Sequence, residues 1–246
     1  NFNIASNRNR IVSLLGQDAD GDGREDDLIG SGLFIGESIN SIYDYESAGI
    51  IQLGEEAPSG FFVGTHRIVD QNGDDAIDAL DRVIRGREEP AYNFGLMNEF
   101  SYKDFTFRFF INSIQGGKNG YMGLNNPNFG QSDNARRNNM FVDYDYWTPA
   151  NPDARYRGQD QVAGIEYRYY GDRSFVRLQD VTLAYRLNKS LIVDKLGLQG
   201  VKFFISGKNL ATWTNWVGWD PETGSGLSQS GLPVMKGYSL GLDVSF

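Results

Sequence analysis

Cysteine is absent and histidine occurs once in these 246 residues. Without thiols there is no disulfide staple and no thiolate zinc site, so the fold must rest on packing, strand pairing or hard-oxygen chemistry. The single imidazole, His66, stands beside Arg67 with no nucleophile-bearing motif near it, which leaves a His-dependent triad without support; it reads as a solvated loop residue. Long apolar runs are missing too. Hydrophobic residues make up 40% of the chain and mean hydropathy is -0.44, so no segment approaches the roughly 20 residues that a membrane helix needs. Positive charge is short: 23 Lys and Arg against 32 Asp and Glu leave a net charge of -9, and phosphate-backbone binding has no electrostatic drive. Nucleic acid is not expected as a partner. Scattered carboxylates can be paired on paper as acid and base, but no motif joins them, and the chain reads as a non-enzyme. No charged-then-apolar leader opens it. Asn1-Phe2-Asn3-Ile4 reads instead as the middle of a strand, as in a piece of a longer polypeptide.

What is present is aromatic and alternating, with 16 Phe and 13 Tyr. In Lys236 to Phe246, the residues Tyr238, Leu240, Leu242, Val244 and Phe246 alternate with Ser239, Gly241, Asp243 and Ser245. That period of two gives a strand one oily face. Further strands are expected over Tyr92 to Tyr102, Phe105 to Asn112, Ser174 to Leu187 and Val201 to Leu210, the first two joined by a Lys103-Asp104 turn. Short connections alternate with long ones rich in Gly, Asn, Asp, Tyr and Trp. A strand that shows lipid an apolar row and its lumen a polar row, with brief turns on one side and long loops on the other, describes a membrane β-barrel. The fold class expected is therefore all-β, an antiparallel transmembrane barrel. External loop regions are expected near residues 16–90, 115–173 and 211–235, at the cell surface of a bacterial outer membrane. Ile42 to Leu53 is read as part of the first of these and not as a spanning strand. The aromatic terminal strand, Tyr238 to Phe246, is the expected barrel-assembly signal.

Two acidic loops carry ligand spacing. In Asp70 to Asp81, oxygen donors fall at positions 1, 3, 5, 9 and 12 of a calcium-type loop: Asp70, Asn72, Asp74, Asp78 and Asp81, with the carbonyl of Ala76 as a further ligand and Ile77 as an apolar anchor. Asp75 stands where such loops carry glycine, and Asp81 where they carry glutamate. Asp18, Asp20, Asp22 and Asp26 repeat the logic with Ile29 at position 12, which makes a weaker second site. A structural calcium ion is the expected cofactor; a solvated acidic loop is the plain alternative. Trp213, Trp216 and Trp219 read as exposed indoles beside Asp220-Pro221-Glu222, either stacking on substrate or partner or forming the aromatic girdle at a membrane interface. Tyr144, Tyr146 and Trp147 carry the same ambiguity.

Seven segments in series resemble the C-terminal part of the SusC/RagA family of TonB-dependent outer-membrane transporters of Bacteroidetes: YESAGIIQ (45–52), the acidic loop 70–81, YNFGLMNEFSYKDF (92–105), SFVRLQDVTLAY (174–185), ISGKNL (205–210), Asp220-Pro221-Glu222 and YSLGLDVSF (238–246). The resemblance implies a plugged barrel of about 22 strands, lidded by a SusD-like surface lipoprotein. It implies import of oligosaccharides or peptides with energy from the TonB complex, engaged through an N-terminal part. Neither plug nor TonB box is in this chain, so residues 1–246 are expected to be the C-terminal portion of the barrel, in contact with outer-membrane lipids. The competing class is a calcium-stabilised soluble β-rich adhesin or carbohydrate-binding module; a third is an uncoupled porin or secretion channel.

Overall fold

The computed structural model describes residues 1–120, 145–158, 163–187, 197–216, 220–222 and 234–245. Its strands are β1 (Phe2–Ala5), β2 (Ser41–Tyr45), β3 (Ser47–Ile50), β4 (His66–Ile68), β5 (Arg82–Arg87), β6 (Tyr92–Tyr102), β7 (Phe105–Gln115), β8 (Lys118–Gly120), β9 (Tyr170–Asp172), β10 (Phe175–Leu187), β11 (Gly200–Thr214) and β12 (Gly237–Ser245). Six of them form one antiparallel sheet in the order β1-β6-β7-β10-β11-β12. No helix among the described residues is long and apolar enough to cross a membrane.

Register sorts the side chains. Val201, Phe203, Ile205 and Gly207 of β11 stand opposite Val244, Leu242, Leu240 and Tyr238, and Phe203 and Ile205 also stand opposite Tyr185 and Leu183. Across β10 and β7, Leu183 and Tyr185 meet Phe107 and Phe105, which meet Phe100 and Tyr102 of β6. One apolar row thus crosses the sheet. Most of its large members are exposed, Leu240 to 85%, where a soluble sheet would bury them. The opposite, inner face is mostly polar or small, with Phe110 and Phe204 as exceptions: Lys202 pairs with Asp243 at 3.4 Å, and Glu99 stands opposite Arg108. Gly241 is required on that face, because a Cβ there would run into the ring of Phe204.

The register of β10 slips between Leu178 and Asp180 against both neighbours, a β-bulge at Gln179. A bulge inserts one residue and reverses which side chains face which way. Below it Val181 and Leu183 face outward. Above it Val176 and Leu178 take the outward face, while Phe175 and Arg177 turn inward.

The connections are unequal. The Lys103-Asp104 turn, with Lys103 at φ 53°, lies at one end of the sheet, here the turn end. Residues 6–91, 116–174 and 215–236 all connect strands at the other, the loop end. The first of these is more structured than a loop. β2 pairs with β5 and β3 with β4, so Ile42 to Leu53 stays outside the large sheet. Ile51, Phe61, Ile68 and Ala163 form a small core, and Tyr45, Ile77 and Tyr167 pack against it. The buried apolar core therefore sits above the loop end, not on the sheet.

Candidate functional site at the loop end

The two acidic loops are built alike. Asp18 accepts the N–H groups of Gly21 and Gly23 at 2.8 and 3.0 Å; Asp70 accepts those of Gly73 and Asp75 at 2.7 and 2.9 Å. Two positions on, Asp20 and Asn72 accept from Asp22 and Asp74. Asp22 and Asp74 in turn accept from Arg24 and Ala76. The sixth position needs a left-handed backbone, supplied by Gly23 at φ 81° and by Asp75 at φ 61°. Aspartate tolerates that region better than most residues, so the missing glycine does not prevent the turn. Bonding from Gly73 first, then from Asp75, holds the Asp70 carboxyl below its ordinary value.

The loops differ in how their acids converge. Oxygen atoms of Asp18, Asp20 and Asp22 all lie within 4.8 Å of one another, the one such acidic group among the described residues. In the second loop Asn72 holds the middle position, and Asp81 is fully buried. Asp81 accepts from the N–H groups of Gln71 at 2.8 Å and Asp78 at 2.7 Å, forming a capping box with Asp78 around the turn Ala79–Asp81. Asp26 ties its own loop in the same manner, accepting from Ala19 at 2.7 Å.

His66 corrects the expectation of a solvated loop residue. It lies in β4 with its ring 4.5 Å from that of Tyr167 and Nδ1 2.8 Å from the Ser47 hydroxyl. Burial, then the positive charges of Arg157 and Arg85, push its pKa down to about 4. Around it runs an arginine–tyrosine layer. Arg85 covers the rings of Tyr167 and Tyr170 at 4.5 and 5.4 Å and donates to the Tyr167 hydroxyl at 2.6 Å. Tyr170 donates to buried Asp44 at 2.7 Å, and burial with that bond pushes its phenol up to about 12. Residues far apart in sequence are thereby clamped across two of the long connections.

A second clamp lies on the inner face. Arg177 is 3% exposed and Asp220 2%. The guanidinium donates to Asp220 and to Glu222, both at 2.6 Å, and its Nε to Thr212 at 3.1 Å. Arg173 adds bonds to the carbonyls of Pro221 and Glu222. Sequence reasoning singled out both segments without pairing them, because the bulge that turns Arg177 inward has no local signature.

The tryptophans do not form an exposed cluster. Trp213 stands opposite Val176 on the outward face and is 59% exposed, where an interface girdle would place it. Trp216 is 7% exposed, correcting its reading as an exposed indole. Trp147 is buried as well and donates to Gln52 at 2.8 Å, while Tyr146 bridges to Tyr156. Tyr144, Trp219 and Phe246 lie outside the described residues. Tyr238, Leu240, Leu242 and Val244 share the exposed row of β12.

No protein-family model matches the chain. Curated relatives do. TonB-dependent receptor P26 of Formosa agariphila is 32% identical over 99% of this chain and 26% of its own length, and receptor P3 of the same organism is 30% identical over 100% and 26%. TonB-dependent receptor SusC of Bacteroides thetaiotaomicron is 24% identical over 100% of this chain and 24% of its own length. Among solved structures, the RagAB peptide importer in its open-open state matches with a TM-score of 0.70 at 22% identity, over 100% of this chain and 26% of the other. The RagAB peptide transporter gives 0.66 at 22% identity, over 86% and 23%. The chain spans about a quarter of the length of these relatives. Its antiparallel sheet has the fold of their barrels, and along its whole length the chain is similar to a part of TonB-dependent receptors such as SusC.

Proposed function

We infer that the chain is part of an outer-membrane nutrient importer and carries no enzymatic step. The observation that supports this best is the exposed apolar row across six paired strands, which lipid covers without leaving unpaired backbone, together with relatives named as TonB-dependent receptors. In this reading the loop end faces the cell surface and meets a SusD-like lipoprotein. TonB acts through another part of the longer polypeptide, and the cargo is an oligosaccharide or a peptide. The two acidic loops are structural calcium sites. Their oxygen donors suit a hard cation, and their shared network of N–H bonds holds Asp18, Asp20 and Asp22, and likewise Asp70, Asn72 and Asp74, in place before any ion arrives.

The test is genetic. A strain lacking the whole receptor gene, and the same strain complemented with it, are grown on single purified oligosaccharides and on peptides. Loss of growth on one class, restored by complementation and abolished again without TonB, is expected. Growth of the deletion strain at parental rates on every nutrient would end the import reading.

A further inference from the structure

A cavity of about 560 Å³ opens at the loop end, among its lining residues Arg8, Arg10, Arg87, Glu37, Ser38 and Ile84. Its walls are built. Ile11 and Glu37 are joined at 2.8 Å and Gly36 to Ile11 at 2.9 Å. Asn9, between the two arginines, accepts from the N–H of Ile39 at 2.9 Å and donates to Glu89 at 2.7 Å, to which the Ser38 hydroxyl also donates at 2.8 Å. Arg87 is placed by the pairing of β5 with β2, opposite Ser41.

Most arginines elsewhere among the described residues of this end are engaged, with Arg24 of the first acidic loop an exception. Arg67 meets Glu55, Arg85 meets Tyr167, Arg168 meets Asp44 and Arg177 meets Asp220. Arg8, Arg10 and Arg87 have no side-chain acceptor among the described residues, and all three line this one cavity. Lys118 passes beside Gly86 with its ammonium already donating to the Arg85 carbonyl at 2.8 Å. Against these stand the lining carboxylate Glu37 and, just behind the wall, Glu89, which accepts from the lining residues Asn9 and Ser38. In a chain of net charge -9, a concave site of opposite sign focuses its field on anions, and guanidinium forks match carboxylate and sulfate oxygens in pairs.

We propose that this cavity binds the negatively charged groups of an acidic oligosaccharide, a uronate carboxylate or a sulfate ester. An oligosaccharide is favoured over a peptide because several cations converge on one space. An acidic glycan repeats its charge from sugar to sugar, and half-exposed Ile84 offers an apolar wall to a ring face, whereas a peptide brings one terminal carboxylate beside a chain that is often uncharged. The proposal rests on the import reading and names its cargo class.

The experiment uses the full-length receptor in detergent and the arginine reagent phenylglyoxal, with modification at each arginine read by mass spectrometry. The probes are oligogalacturonate, a sulfated galactan oligosaccharide, neutral maltohexaose and an aspartate-rich peptide. Arg8, Arg10 and Arg87 are expected to react in the free receptor. Their modification should fall about tenfold with one of the two acidic glycans, the scale of one charge-assisted contact, and not with maltohexaose. Which acidic glycan protects tells carboxylate from sulfate. Protection should weaken in Arg87→Gln and persist in part in Arg87→Lys. Three results overturn the proposal: no reaction in the free receptor, which means the rest of the polypeptide supplies the acceptors; equal reaction with every probe; or protection by the peptide alone. If the three residues are protected while the deletion strain grows normally on all nutrients, the import reading fails and the site stands. Growth defects without protection give the reverse.

Discussion

Arg177 shows what one residue carries at this loop end. Its guanidinium is buried with Asp220, and removing one partner of such a pair strands the other charge away from water. Arg177→Met is expected to destabilise the folded receptor by about 3–5 kcal/mol, and Arg177→Met with Asp220→Asn by clearly less. Denaturant midpoints of the folded barrel on unheated gels read both. His66 gives a pH dependence whose sign follows from its surroundings. Its folded pKa, about 4, lies below the unfolded value of about 6.5, so its contribution is fully present above about pH 6.5. It is lost as pH falls towards 4, where the unfolded state takes up a proton that the folded state refuses. The full effect is about 3 kcal/mol by linkage. His66→Gln should flatten the fall in unfolding midpoint between pH 6.5 and 4, and an unchanged slope would show that His66 does not report there.

At the scale of elements, the acidic loops were legible because ligand spacing is local: the donors of 70–81 and 18–26 follow from position alone. Their relative quality was not. The loop with a carboxylate at its twelfth position looked stronger, yet its Asp81 serves as a buried acceptor for Gln71 and Asp78, and the close triad of acids belongs to the other loop. Calorimetry on the purified receptor is expected to count two calcium ions. Asp18→Ala and Asp70→Ala should each remove one, and a count of none in the parent would leave both as solvated acidic turns. Strand alternation was equally readable over β6, β7 and β12, where pairing is regular. β10 was readable as a strand over its whole length, but its faces only below Gln179, because a bulge is a property of two neighbouring registers and not of one strand.

Over the whole molecule the decisive property, on the import reading proposed above, is which face of the sheet would meet lipid. Leu240 and Ser239 are adjacent in β12 and lie on opposite faces. Leu240→Lys should therefore cost about 2–4 kcal/mol near the middle of a bilayer and cut assembly into membranes, while Ser239→Lys should be tolerated. Equal penalties would mean that the faces are wrongly assigned. The competing soluble adhesin would have hidden that row, and the exposure of Leu240, Tyr238 and Phe203 argues against it. Composition and period two determined the all-β class, the apolar row and the unequal connections, since each depends on neighbours a few residues apart. Tertiary structure decided the rest: that His66 is buried against Tyr167, that Trp216 is enclosed while Trp213 faces outward, and that Arg177 meets Asp220. Each of those depends on segments that chain connectivity separates and only strand register brings together, and register is an energy of the whole sheet, written in no single stretch of residues.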